Sequence, residues 1–232
     1  CGSVRRTGQE IERIEEVMGN QRNAYTTFSH TCYHMVSGSR YVEDMIELIS
    51  DYVFHPRLDP KDVDTQRGII LREMAMGEDD PERLLQSRLA ETVFTVHPAR
   101  YRIIGYPDHF TRIARDDLVR FHQRMYSTDN VVVVVVGDFD AQRVLQVLQE
   151  HLGKLPRTGV DFPTLPQEPR QLGERRAEDV DPDLARAYLA VAYRTVSLFH
   201  PDLYALDVLA DILGSGATSR LVSRLRDELG LV

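Results

Sequence analysis

Asp59-Pro60-Lys61-Asp62-Val63-Asp64-Thr65-Gln66-Arg67-Gly68-Ile69-Ile70-Leu71-Arg72-Glu73-Met74-Ala75-Met76-Gly77 is the stretch on which the fold turns. Asp as N-cap and Pro at the first helical position open a helix that Gly77 closes. Advancing about 100° per residue, the wheel puts Glu73 at the centre of an arc of Val63, Ile69, Ile70, Met74, Met76 and Gly77, with Gln66 about 20° away. The expectation is therefore a carboxylate aimed into the apolar face. A buried carboxylate must be paired with a cation or the backbone, protonated, or bound to a metal, and pairing is the commonest outcome. Asp62, in the first turn, complements the helix dipole.

Working outward, Gln9–Met18 has apolar residues at helical spacing and stops at Gly19. Aromatic and Thr content predicts two strands, Arg22–Phe28 and Thr31–Val36, joined by a turn near Ser29. Helices are expected at Arg40–Phe54, at Glu82–Phe94 behind a second Asp-Pro cap, at Asp116–Tyr126 and at Ala141–Leu152. Six consecutive valines, Val131–Val136, read as a strand buried on both faces. Four prolines between Lys154 and Arg176 mark a linker. Beyond it a strand is expected at Ala187–Tyr193 and helices at Pro201–Leu213 and Thr218–Glu228. The domain reading is residues 1–157, a linker at 158–173, and a second domain opening at 174–232. The fold class is α+β.

Composition narrows the function. With 42% hydrophobic residues over 232 positions, the chain can bury one large core. A net charge of −8 with interspersed basic residues offers no footprint for a phosphate backbone, so nucleic acid is excluded as a partner. Cys1 and Cys32 are too few for a cysteine zinc cage, and no apolar run is long enough to span a membrane.

Three further motifs are weighed on chemistry. Asn23-Ala24-Tyr25 in an exposed strand suits pairing with an extended peptide, although an ordinary hairpin strand has the same composition. His30 and His34 have the four-residue spacing of helical zinc ligands, but in a strand that spacing spans roughly 13 Å and cannot serve one ion. Gly214-Ser215-Gly216-Ala217-Thr218-Ser219 imitates a phosphate loop, yet follows a helix and lacks the lysine.

Taken in order, several runs resemble the pitrilysin/insulinase family of zinc metallopeptidases, the group that includes mitochondrial processing peptidase and small bacterial members. The runs are Thr7-Gly8-Gln9-Glu10-Ile11, Asn23-Ala24-Tyr25-Thr26, Thr31-Cys32-Tyr33, Arg67–Met74 with Glu78-Asp79-Asp80-Pro81, and Asn130–Asp138. Past the linker they continue in Leu213-Gly214-Ser215-Gly216, Ser219-Arg220-Leu221 and Leu225–Leu231. The resemblance implies a LuxS/processing-peptidase-like metallohydrolase fold, an antiparallel-rich mixed sheet with helices packed on one face. It implies that Glu73 is the distal zinc ligand of an inverted H-x-x-E-H site. Extrapolated backwards, that motif ends a few residues before Cys1, so this chain is expected to be inactive alone. The family's second Glu, two helical turns before the ligand, is replaced by Gln66, which keeps hydrogen bonding without charge. Asn23, Ala24, Tyr25 and Thr26 match the edge strand that holds the substrate backbone. Arg226 matches an arginine that reaches substrate from a second domain. The implied parent is a zinc endopeptidase, or a non-catalytic subunit of the same fold, forming a homodimer or heterodimer in a bacterial cytoplasm or periplasm.

Overall fold

In a computed structural model that describes residues 2–232, the chain divides into two units, residues 2–190 and Val191–Val232. In the first unit, helix α1 (Gly8–Met18) opens with a reciprocal cap. The Thr7 hydroxyl accepts the Glu10 N–H, and the Glu10 carboxylate accepts the Thr7 N–H at 2.7 Å. Gly19 closes the helix at φ 58°, a left-handed value that glycine adopts without penalty. Strands β1 (Gln21–Thr26) and β2 (Thr31–Val36) pair antiparallel, Gln21 opposite Val36 and Thr26 opposite Thr31.

Helix α2 (Val42–Phe54) is the centre of the packing. On one side its Leu48, fully buried, meets Ile11 and Met18 of α1, with Met35 of β2 and Tyr52 alongside. On another, Ile46 packs with Val144 and Val147 of α7 (Ala141–Leu152), along with Val135 and Phe139. Between them run α3 (Pro60–Glu78), α4 (Pro81–Val93), the single turn α5 (Pro107–Phe110) and α6 (Arg115–Met125). Both Asp-Pro caps form as read: Asp59 accepts the Lys61 N–H, and Asp80 accepts those of Glu82 and Arg83.

An ion cluster ties the segment before α1 to α2. Asp51, 2% exposed, accepts the Ser3 hydroxyl at 2.6 Å and an Arg6 N–H at 2.8 Å, while Arg6 also forks onto both oxygens of Glu47. Burial opposes the Arg6 charge, but the two carboxylates outweigh it and hold the guanidinium above its ordinary range. Removing one partner of such a pair leaves a buried charge uncompensated. Arg6→Met is therefore expected to cost about 3 kcal/mol. Urea unfolding checks this, and a loss under about 1 kcal/mol would mean that Asp51 is not held by Arg6.

Two strands expected from the sequence are not formed. Val131 is extended, but no neighbouring strand pairs with Val131–Val136 among the described residues, and Val132 and Val136 are about nine-tenths exposed. A β-branched run favours the extended backbone, but a strand exists only where a ladder partner supplies its hydrogen bonds. Ala187–Tyr193 likewise joins no ladder. The sheet of the described residues is the β1–β2 hairpin, and the remainder is helix-rich.

In the second unit, α8 (Leu203–Gly214) is followed by Gly216 at φ 80° and the short α9 (Arg220–Val222). The helical path continues from Ser223 to Glu228 in the wider π register. The last helix expected from the sequence is thus present but changes its winding at Ser223, which puts Arg226 within the wider turn.

Candidate functional site

Register defines what β1 exposes. The Thr27 N–H donates to the His30 carbonyl at 2.8 Å, so that pair is hydrogen-bonded across the turn. Bonded and non-bonded pairs alternate along an antiparallel ladder. Tyr25 opposite Cys32 and Asn23 opposite His34 are then bonded pairs. Arg22, Ala24 and Thr26 turn their backbone groups to the outer edge, where no further strand lies among the described residues. The Ala24 N–H donates instead to the Asn23 side-chain oxygen at 2.8 Å. Every residue of β1 is exposed, so Asn23, Ala24, Tyr25 and Thr26 all lie on an accessible edge.

This edge is braced from behind. The Tyr33 hydroxyl of β2 meets that of Tyr126 at 2.6 Å, and the Tyr126 ring stacks on His122 at 4.4 Å between centroids. His122 Nε2 donates to the Val53 carbonyl at 2.7 Å. Burial first, and the Tyr126 hydroxyl second, push the Tyr33 phenol above its ordinary range, so Tyr33 stays neutral and either hydroxyl can serve as the donor between them. At the start of the strand, Arg22 pairs with buried Glu15 at 3.1 Å and lies over the Tyr52 ring. Burial raises the Glu15 carboxyl and Arg22 partly offsets it. Tyr52 is pushed up to about 12 by burial.

Helix α3 departs from the wheel reading. Glu73 is exposed, not buried, and so are Gln66, Ile69 (42%) and Met76 (70%). The inward face instead carries Met74, 4% exposed, with Arg67, Ile70 and Leu71 half-buried beside it. Arg67 is the reason. Its guanidinium donates to the Phe110 and Ile113 carbonyls at 3.0 and 2.7 Å and sits over the Phe110 ring. It thereby bonds the last carbonyl of α5 and one in the segment that follows it. Arg67, absent from the apolar arc of the wheel, is the anchor, and the face bearing Glu73 rotates into solvent.

As a metal site, Glu73 brings one donor. A tetrahedral zinc shell needs three or four protein ligands. Among the described residues no group of three or more His, Cys, Asp and Glu is placed to hold an ion. His30, in the turn before β2, and His34, within it, have ring centroids 5.9 and 6.3 Å from that of Tyr25. A carboxylate on an accessible helix face fits one position of a shell completed from elsewhere.

In the second unit, Arg226 is exposed within the π-wound turn. Its Nε donates to Asp227 at 2.8 Å, and that carboxylate raises its pKa. Residues 2–232 contain no helix long and apolar enough to cross a membrane.

Comparison with known proteins places these features in a family. Residues 1–106 match the family described as Insulinase (Peptidase family M16), and residues 112–232 match the one described as Peptidase M16 inactive domain. A zinc protease of Mycobacterium leprae is 30% identical over 97% of this chain and 51% of its own length. The mitochondrial-processing peptidase subunit beta of Lentinula edodes is 29% identical over 97% of this chain and 50% of its own. The chain thus spans about half the length of the curated relatives it matches. A crystal structure of a protease from Helicobacter pylori superposes with a TM-score of 0.83 at 24% identity, covering 99% of this chain and 56% of that one. Two family matches that together cover nearly the whole sequence, with zinc proteases among its relatives, make this chain a member of the pitrilysin/insulinase (M16) family of peptidases.

Proposed function

We propose that the intact protein is a zinc-dependent endopeptidase that takes unfolded peptides or small proteins as an added strand along β1, with Glu73 as one metal ligand. The observation that carries this is the uncovered face of α3, where Glu73 stands between exposed Ile69 and Met76. Apolar side chains around a carboxylate suit a face that another element covers. Covering it strips water from the carboxylate, and a metal cation accompanying the cover is one way to offset that cost. The remaining ligands are assigned to an H-x-x-E-H helix N-terminal of Cys1, in a mixed, antiparallel-rich sheet with helices on one face.

Zinc in that position supplies Lewis-acid polarisation of the scissile carbonyl and an acidified water. This chain's own residues do the positioning. The outer backbone groups of Arg22, Ala24 and Thr26 pair with the substrate backbone, the Asn23 amide giving up the Ala24 N–H as the peptide arrives. Gln66, two turns before Glu73, offers hydrogen bonding without charge. Arg226 donates to a substrate carbonyl oxygen from its own or a partner subunit, in a homodimer or a heterodimer with a related chain. The domain division proposed with it is residues 1–157, a connection at 158–173, and the opening of a second domain at 174–232.

The test is turnover of an unstructured fluorogenic peptide by the complete protein. Activity should vanish with a chelator and return with zinc, and the 232-residue chain alone should cleave nothing. Turnover that ignores the chelator would contradict the metal assignment. No turnover by the zinc-loaded complete protein would assign the non-catalytic subunit instead.

A further inference from the structure

The proline-rich stretch after α7 is bonded to the body of the first unit at points far apart in sequence. At its start, the Thr158 and Gly159 N–H groups donate to Asp129 at 3.3 and 2.7 Å, and the Thr158 hydroxyl donates to the Arg124 carbonyl. Further on, Glu168 reaches back to the turn after α4. One of its oxygens accepts the Thr95 N–H and hydroxyl at 2.7 and 2.6 Å, and the other accepts the Val96 and His97 N–H groups, both at 2.9 Å. Three successive backbone donors converging on one carboxylate form an anion-binding concavity, and this chain fills it with its own side chain. Next, Arg175 donates to the Thr92 and Val93 carbonyls, which end α4 without intrahelical partners. Last, Asp179 pairs with Arg88 on α4 at 3.2 Å.

We infer that residues 158–179 are a strap buckled to α4 and its following turn by Glu168, Arg175 and Asp179, rather than a free tether, and that releasing all three lengthens the chain before the second unit. Proline content speaks only for an absence of regular structure, whereas the Glu168 and Arg175 fastenings come from residues more than 70 positions away. Burial works against the Glu168 charge but is outweighed by the Thr95 hydroxyl and the three N–H groups, which hold the carboxyl at about 2. Asp129 is likewise held at about 2, chiefly by the Ser127 hydroxyl, with the Gly159 and Thr158 N–H groups adding to it. Buckled, the strap leaves about 11 residues of coil before Val191, with a root-mean-square span of roughly 18 Å, and freed beyond Gly159 it leaves about 30 residues and roughly 30 Å. The local concentration of whatever the tether carries then falls about four- to fivefold. This inference is independent of the peptidase reading, because it uses neither Glu73 nor β1.

The experiment is limited trypsin digestion and amide hydrogen exchange on the 232-residue chain. Arg170 lies in the strap and should be cut slowly in the wild type. Glu168→Ala should speed cleavage after Arg170 and exchange at Val96 and His97 by about tenfold or more, while the amide of buried Leu48 keeps its protection. Glu168→Gln, which retains one acceptor oxygen, should fall between, and replacing exposed Glu178 by Gln should change nothing. If Leu48 also loses protection in Glu168→Ala, the comparison passes to Glu168→Gln. Wild-type cleavage at Arg170 as fast as in an unfolded peptide, or unaltered exchange in Glu168→Gln and Glu168→Ala, would overturn the strap.

Discussion

Ala24→Pro is expected to weaken binding of an extended peptide to the complete protein by about tenfold or more while the β1–β2 hairpin stays folded. The Ala24 N–H faces the outer edge and bonds only the neighbouring Asn23 side chain, so proline removes no ladder bond to β2. It does delete a donor that an added strand needs, and its ring blocks close approach from that side. One main-chain hydrogen bond is worth about 1 kcal/mol net, and the lost approach carries the total past the roughly 1.4 kcal/mol of a tenfold change. Tyr25→Pro should behave differently, since Tyr25 is a bonded partner of Cys32 and its loss strikes the hairpin itself. Fluorescence anisotropy of a labelled unstructured peptide reads the affinity, and circular dichroism reads the fold. Unchanged affinity in Ala24→Pro would remove β1 as the peptide-holding edge.

Glu73→Gln should lower kcat/KM of the complete protein by more than about a hundredfold, because changing groups that merely support metal ligands already costs 10–100-fold. Gln66→Ala, acting through hydrogen bonding alone, should stay within that smaller range. The exposure of Glu73 makes this a clean comparison. An exposed side chain with no packing role changes stability by no more than about 0.5 kcal/mol, so lost activity is not lost folding. Urea unfolding of the 232-residue chain and of its Glu73→Gln variant should give superimposable curves.

Local signals carried most of the helices. Asp59 and Asp80 cap as read, and Gly19 ends α1, because capping depends on side chains within three residues of the bonds they make. The β1–β2 hairpin was legible for the same reason, its two strands being joined by a short turn. What the sequence did not reveal depends on distant partners. Arg67 turns inward for carbonyls more than 40 positions away, which rotates the Glu73 face of α3 outward against the periodicity of its own apolar residues. Val131–Val136 has the composition of a sheet centre, but composition names a preference and not a neighbour. The grip of Glu168 on Thr95–His97 was invisible, since three backbone donors leave no mark in residue type. At the candidate site, the strand that carries Asn23 to Thr26 was legible from its composition, whereas Glu73 was singled out by a burial that does not occur.

The central claim is that Glu73 is a metal ligand, and zinc affinity reads it without the intervening steps of catalysis. Competition with a chromophoric chelator on the complete protein should give one tightly bound zinc per chain, and Glu73→Gln should weaken it by more than about a hundredfold. Equal zinc affinity in the two proteins would contradict the account.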